Sequence, residues 1–187
     1  MLLHSRSSLP VVVATFTCAT LLSACSQIAP AIVEGVPFLQ DLSEAVEAGS
    51  TGDIIALMHF STFPCTSADG LGGPPKCLPS ETEGTPVEAI PILGPEGQHL
   101  RRADSGSWPG IGAASLYAVV RVEPPAVADE FFPSGDYSVA FLQGDGASVV
   151  AFQITEEGIV RVDYHPRALY DERLARADVL VGPIAEP

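Results

Sequence analysis

Positive charge is scarce in this chain: nine Lys and Arg stand against 23 Asp and Glu in 187 residues, a formal net charge of −14. Nucleic-acid binding and electrostatic docking on anionic lipid both need clustered cations, so this balance argues against each. Long hydrophobic runs are missing as well. The mostly apolar stretch 9–22 is shorter than the ~20 residues a helix needs to cross the hydrocarbon core, and Pro10 interrupts it early. The chain has no Gly-x-Ser-x-Gly elbow, no His-Glu-x-x-His, no Walker loop and no calcium-loop spacing. Gly70-Leu71-Gly72-Gly73 resembles a phosphate loop only in glycine content, since it neither follows a clear strand nor opens a helix. No catalytic set, cofactor or metal site is therefore assigned from sequence.

What is present begins at the N-terminus. Arg6, with His4 near it, gives a positive flank, residues 9–22 give an apolar segment, and the small residues Ser23 and Ala24 precede Cys25. Leu22-Ser23-Ala24-Cys25 resembles the lipobox of bacterial lipoproteins. The resemblance implies diacylglycerol attachment to the Cys25 sulfur, cleavage just before it, and palmitate-type chains that hold the protein on the extracytoplasmic side of a cell membrane. Each buried CH₂ contributes about 0.8 kcal/mol, so two or three acyl chains anchor a protein without a spanning helix. The rival reading is an ordinary secretory signal cut near Ala24, which would leave Cys25 as a reactive thiol. On the lipoprotein reading, residues 1–24 are the signal, 25–36 a tether and 37–182 a single domain. Removing the signal takes away Arg6 alone among the charged residues, and eight cations against 23 acids leave −15.

Cys18 falls within the signal, so Cys65 and Cys77 are the two cysteines left in the body. They are natural disulfide partners around a loop, residues 66–76, whose three Gly and two Pro exclude a helix or a central strand. Closing a loop of this length stabilises a fold by roughly 3 kcal/mol through the entropy of the unfolded chain. The alternative, a metal site, lacks a Cys-x-x-Cys pair and a His at ligand spacing.

Pro37 suits a first helical turn, and Phe38, Leu39, Leu42, Ala45 and Val46 fall on one apolar face, with Gly49 as a stop. Ser50 or Thr51 can cap a second short helix that carries Asp53 in its first turn and Ile54, Ile55, Leu57 and Met58 on its apolar side. Residues 85–93 hold Pro86 and Pro91 and read as at most an edge strand or an extended segment. Residues 116–122, 137–143, 148–155 and 159–164 are rich in β-branched and aromatic residues, and Gly144-Asp145-Gly146 and Glu156-Glu157-Gly158 divide the last three into hairpins. Strict alternation puts Leu116, Ala118 and Val120 on one face of the first of these strands and Tyr117, Val119 and Arg121 on the other. Residues 168–177 read as a short charged helix with Leu169, Tyr170 and Leu174 inward.

The expected fold is α+β: two N-terminal helices packed on a curved antiparallel sheet of about four to five strands, with a disulfide-closed loop. Its helix corner, residues 48–57, is similar to that of the NTF2-like, or SnoaL-like, superfamily. That resemblance implies a pocket for a small ligand between the sheet and the helices, with acid/base enzymes among its members. A small β-sandwich or another helix-capped sheet is the alternative.

Candidate ligand-binding residues follow from chemistry. Arg121 and Arg161 can hold a carboxylate or phosphate in bidentate fashion if their strand faces line a pocket; facing water, they would pair with acids across strands. Tyr117 and Trp108 can stack on a ligand or anchor the core, and His59 can line a pocket mouth or serve as a helix-end charge. Asp163 and His165, two apart, can project the same way. Glu81, Glu83 and Glu88 could bind calcium weakly but read rather as a solvated acidic loop. The reading is thus of a membrane-anchored binding module for a small ligand or an envelope protein, with a SnoaL-like acid/base enzyme or a structural envelope protein as alternatives. Cys25→Ala is expected to abolish acyl labelling and signal cleavage; wild-type labelling and processing of the variant in membrane fractions would refute the lipobox.

Overall fold

An apolar residue every three or four positions makes a one-sided helix, and α1, Leu39–Glu47, buries Leu39, Leu42, Ala45 and Val46 in this way. The computed structural model describes residues 35–93, 97–125 and 129–183. The signal, the lipobox with Cys25 and nearly all of the expected tether lie outside the described residues. Phe38 does not join the apolar face of α1; it takes a left-handed conformation at the helix start and is 38% exposed. Gly49 turns the chain at a positive φ of 64° into α2, Thr51–Ala56. The Ser50 hydroxyl donates to the Asp53 carboxylate at 2.5 Å rather than capping the backbone.

The strands are β1 (Ser61–Pro64), β2 (Pro86–Leu93), β3 (Gln98–Arg101), β4 (Ala114–Arg121), β5 (Tyr137–Gln143), β6 (Ser148–Thr155), β7 (Gly158–Pro166) and β8 (Asp178–Val181), with α3 (Arg167–Leu174) between the last two. They form a mixed eight-stranded sheet in the order β1-β2-β7-β6-β5-β4-β8, with β3 paired to β2. The α+β class is as expected, but the sheet is larger than four to five strands and not purely antiparallel, because β2 runs parallel to β7. The helices are also not confined to the start of the domain. β2 is no edge strand: Ala89 lies opposite both Ser61 and Arg101, and Ile92 opposite both Gln98 and Val162. Pro91 falls where pairing on the β1 and β7 side is interrupted, which is how a proline fits into a strand with neighbours on both sides.

Two cores sandwich this sheet. On one face α1 and α2 pack with Phe141, Phe152, Val139, Val150 and Val162, and the two phenylalanines meet edge to face at 5.8 Å. On the other face α3 sets Tyr170 against Tyr117, Ala118, Ala140, Val149 and Ala151. Strict alternation fails in β4, where a bulge between Leu116 and Ala118 sends Tyr117 and Ala118 to the α3 side and returns Val119 to the α1 side. Leu169, expected inward, is 52% exposed.

The Cys65–Cys77 disulfide closes its loop as expected, so these sulfurs are bonded to each other and not free as thiolate ligands. The neighbouring acids are engaged as well as solvated: Glu83 and Glu88 are exposed and Glu81 is half-buried, and each has a partner. Glu81 accepts from Arg101 at 2.7 and 2.8 Å and from the Leu78 N–H, Glu83 accepts from Thr66 and Ser67, and Glu88 pairs with Arg102 at 3.1 Å. Among the described residues no helix is long and apolar enough to cross a membrane.

Two outcomes follow from this packing. Phe152→Ala should lower unfolding stability by about 3–5 kcal/mol in denaturant titrations, since it opens a cavity at the centre of the larger core. The Arg101 guanidinium, and then the Leu78 N–H, hold the Glu81 carboxyl at about 2, below its ordinary 4.5. Its contribution is present above pH 4.5 and is lost as pH falls towards 2, so Glu81→Gln should flatten that part of the acid-unfolding curve.

Candidate functional site

Alternation along β7 sends Arg161, Asp163 and His165 to the α3 side of the sheet, and the facing positions of β6 and β5 add Gln153 and Ser138. The Arg161 Nε and Nη2 donate to Asp163 Oδ2 at 3.1 and 3.0 Å. The remaining Nη1 donates to the carbonyls of Phe132 and Pro133 at 3.0 and 3.2 Å, which straps the β4–β5 connection onto the sheet. Gly135 is needed in that connection, because a Cβ there would lie 2.4 Å from the Ile154 nitrogen. His99, packed between Phe63 and Phe132, holds the same segment through the Phe131 carbonyl at 3.1 Å. Gln153 Nε2 donates to Asp163 Oδ2 at 3.1 Å and to Ser138 Oγ at 3.3 Å, and Ser138 lies 3.5 Å from the Tyr170 hydroxyl.

Above this polar floor lies a cleft of about 350 Å³ between the sheet, α3 and residues 176–178. Val120, Leu174 and Tyr170 give it apolar walls, and Arg121, Arg161, Arg173 and Arg176 line it. The ring of His165 stacks on Tyr170 at 5.6 Å. Arg173 Nη1 is 3.5 Å from His165 Nδ1 and 3.3 Å from Nε2, within hydrogen-bond reach of the ring. Burial, and then the charge of Arg173, push the imidazole below its ordinary 6.5, while Asp163 works the other way. Burial likewise raises the Tyr170 hydroxyl.

The sequence candidates are dispersed by the fold. Arg161 is on the cleft floor but is spent on Asp163 and two carbonyls. Arg121 stands at the mouth, pairs with Asp178 at 3.3 Å and lies 5.5 Å from the Tyr137 ring. Tyr117 is an anchor for α3: its hydroxyl donates to Asp171 at 2.6 Å and accepts from Arg167 at 3.2 Å. His59 is outside the cleft, 3.5 Å from Glu157. Trp108 is in the larger core. The residues the sequence reading missed are Arg173 and Arg176 and, on the floor, Gln153, Ser138 and the Tyr170 hydroxyl. A signal for the arginines existed, since four of the eight cations beyond residue 25 fall between 161 and 176.

The other face of the sheet, where the NTF2-like resemblance puts a pocket, is filled by Leu42, Val46, Phe141 and Phe152, all fully buried. The titratable groups that chemistry needs are on the α3 side.

Asp163→Ala should cost roughly 3–5 kcal/mol of stability, because it leaves the Arg161 guanidinium buried without its partner. The Arg161→Met, Asp163→Leu double variant should recover much of that loss in the same denaturant titration. His99 and His165 are both held below 6.5 in the fold, burial being the first cause for each. The unfolded chain then takes up protons first, and stability should fall as pH drops through 6.5; NMR titration should place both imidazole midpoints below that value.

Comparisons with protein-family models, with curated proteins and with solved structures found no match, so the site itself carries the functional argument.

Proposed function

We propose that this chain is a lipid-anchored, extracytoplasmic binding module that holds a small anionic ligand in the cleft beneath α3. The observation that carries this reading is how the cations are used. Arg101, Arg102, Arg121, Arg161 and Arg167 each pair with an acid, and Lys76 donates to the Ala68 carbonyl. Among the described residues Arg173 and Arg176 form no ion pair, and both line the same cleft. In a chain of net charge −14, two guanidinium groups that line one cleft without an acid partner suit negative charge from outside.

The volume supports a metabolite-sized ligand, being at the lower end of small-molecule sites. Binding is favoured over catalysis because no hydrogen bond joins His165 to Asp163, so no oriented acid/base pair is assembled. The lipobox at residues 22–25 supports membrane attachment through Cys25. A relation to NTF2-like domains belongs to the same proposal, supported by the two helices that precede β1 and pack on one sheet face, although the cleft is on the opposite face.

Isothermal titration with acetate, succinate, glutarate and phosphate at low salt tests the reading. Saturable binding of at least one anion is expected, weakened about ten-fold by Arg173→Ala or Arg176→Ala, since a hydrogen bond to a charged group contributes about 1.5–3 kcal/mol. Arg121→Ala, which removes a residue already paired at the mouth, should change affinity much less. Absence of binding by every anion, or equal affinity in the Arg173 and Arg176 variants, would overturn the proposal.

A further inference from the structure

Of the titratable groups that line the cleft, His165 alone changes charge close to neutral pH. It is half-buried, shares the cleft with Arg173 and Arg176, and has Arg173 Nη1 within 3.3 Å of Nε2 and 3.5 Å of Nδ1. A neutral imidazole keeps one acceptor nitrogen for a guanidinium, whereas an imidazolium has none and repels it. His165 therefore fills for Arg173 the acceptor role that an acid side chain fills for the paired arginines, and it does so only while uncharged.

The charged and titratable groups facing the ring are Arg173 and Tyr170 from α3 and Arg161 and Asp163 from β7; Val149, opposite it on β6, is apolar. Arg161 and Asp163 neutralise each other at 3.0 Å, and Arg121 pairs with Asp178 at the mouth, so Arg173 sets the local balance. We propose that anion binding in this cleft is coupled to protonation of His165. The anion takes the Arg173 donors, and the ring, released as an acceptor, gains a proton from solvent on its free nitrogen and becomes a third cationic donor to the ligand. This rests on the anion-binding reading above and adds its regulation: affinity rises as pH falls. Without ligand, burial and Arg173 hold the ring below 6.5. A bound anion a few ångströms away favours the charged form and lifts the midpoint, and linkage returns each unit of that lift as about ten-fold in affinity at acid pH. Above both midpoints the affinity stays at its lower value.

The test is isothermal titration of the intact chain with sulfate and with acetate, whose charges hardly change between about pH 6 and about pH 8. Binding should be about ten-fold tighter at the lower pH, with net proton uptake shown by repeating the titration in buffers of different ionisation enthalpy. In NMR titrations, saturating sulfate should raise the His165 midpoint by about one unit and leave His99, outside the cleft, unmoved. His165→Gln keeps an acceptor for Arg173 but does not titrate; it should bind at both pH values with the weaker affinity of wild type at about pH 8. If that variant fails to fold, the wild-type NMR midpoint decides alone. A His165 midpoint unmoved or lowered by the anion, or a pH dependence that survives in His165→Gln, would overturn the coupling and leave the anion site standing. No binding by either anion would remove both readings.

Discussion

The buried Arg161–Asp163 pair is the constraint around which the α3 face is arranged, because charges withdrawn from water are tolerated only while their partners and remaining hydrogen-bond sites are filled. With side chains 17% and 4% exposed, the pair depends on nearby hydrogen-bond partners, and the surroundings supply them to the guanidinium and to Asp163 Oδ2, while Oδ1 has none among the described residues. The β4–β5 connection delivers the Phe132 and Pro133 carbonyls to the guanidinium, and β6 delivers the Gln153 amide to the carboxylate. The position of that connection, the polarity of the cleft floor and the placing of Ser138 near Tyr170 all follow from satisfying one ion pair.

Charge use elsewhere obeys the same rule. Glu81 with Arg101 and Glu83 with Thr66 and Ser67 tie the disulfide-closed loop to its flanks, and Asp171 receives both Tyr117 and Arg167 to seat α3. An acidic chain has acids to spare for such ties and few cations. Cations left without an acid partner therefore carry more information here than they would in a basic protein, where unpaired arginines are ordinary surface. The contrast between the two faces points the same way: one is closed by Leu42, Val46, Phe141 and Phe152, while the other carries every titratable group of the cleft.

The elements with strong local signals were legible. α1, the strands Tyr137–Gln143 and Ser148–Thr155, and the Cys65–Cys77 bridge stand where periodicity, β-branching and cysteine count put them. The turn at Gly144–Gly146 works for the expected reason, with the Asp145 carboxylate accepting from the Ala147 and Ser148 N–H groups. What failed were inferences that need neighbours. Pro91 made β2 look like an edge, because a sequence does not show that β1 and β7 share one side of it with a gap between them. The Leu116/Ala118 bulge reversed the faces of β4, because a single inserted residue shifts every side chain beyond it. The pairing of Arg121 and Arg161 with acids across and along strands was one of the two outcomes their positions allowed.

By itself the sequence determined the α+β class, the acidic balance, the disulfide and the identity of the scarce cations, since each depends on composition or on spacing within a few residues. The tertiary structure alone decided which cations have no acid partner among the described residues. Arg173 and Arg176 look no different from Arg101 or Arg167 along the chain, and whether an arginine is paired depends on which distant acid the fold brings within about 4 Å of it. The same holds for Gln153 Oε1 and Asp163 Oδ1, which have no hydrogen-bond partner among the described residues. Hydrogen-bond satisfaction belongs to three-dimensional neighbours, and here those neighbours come from β5, β6, β7 and α3 together.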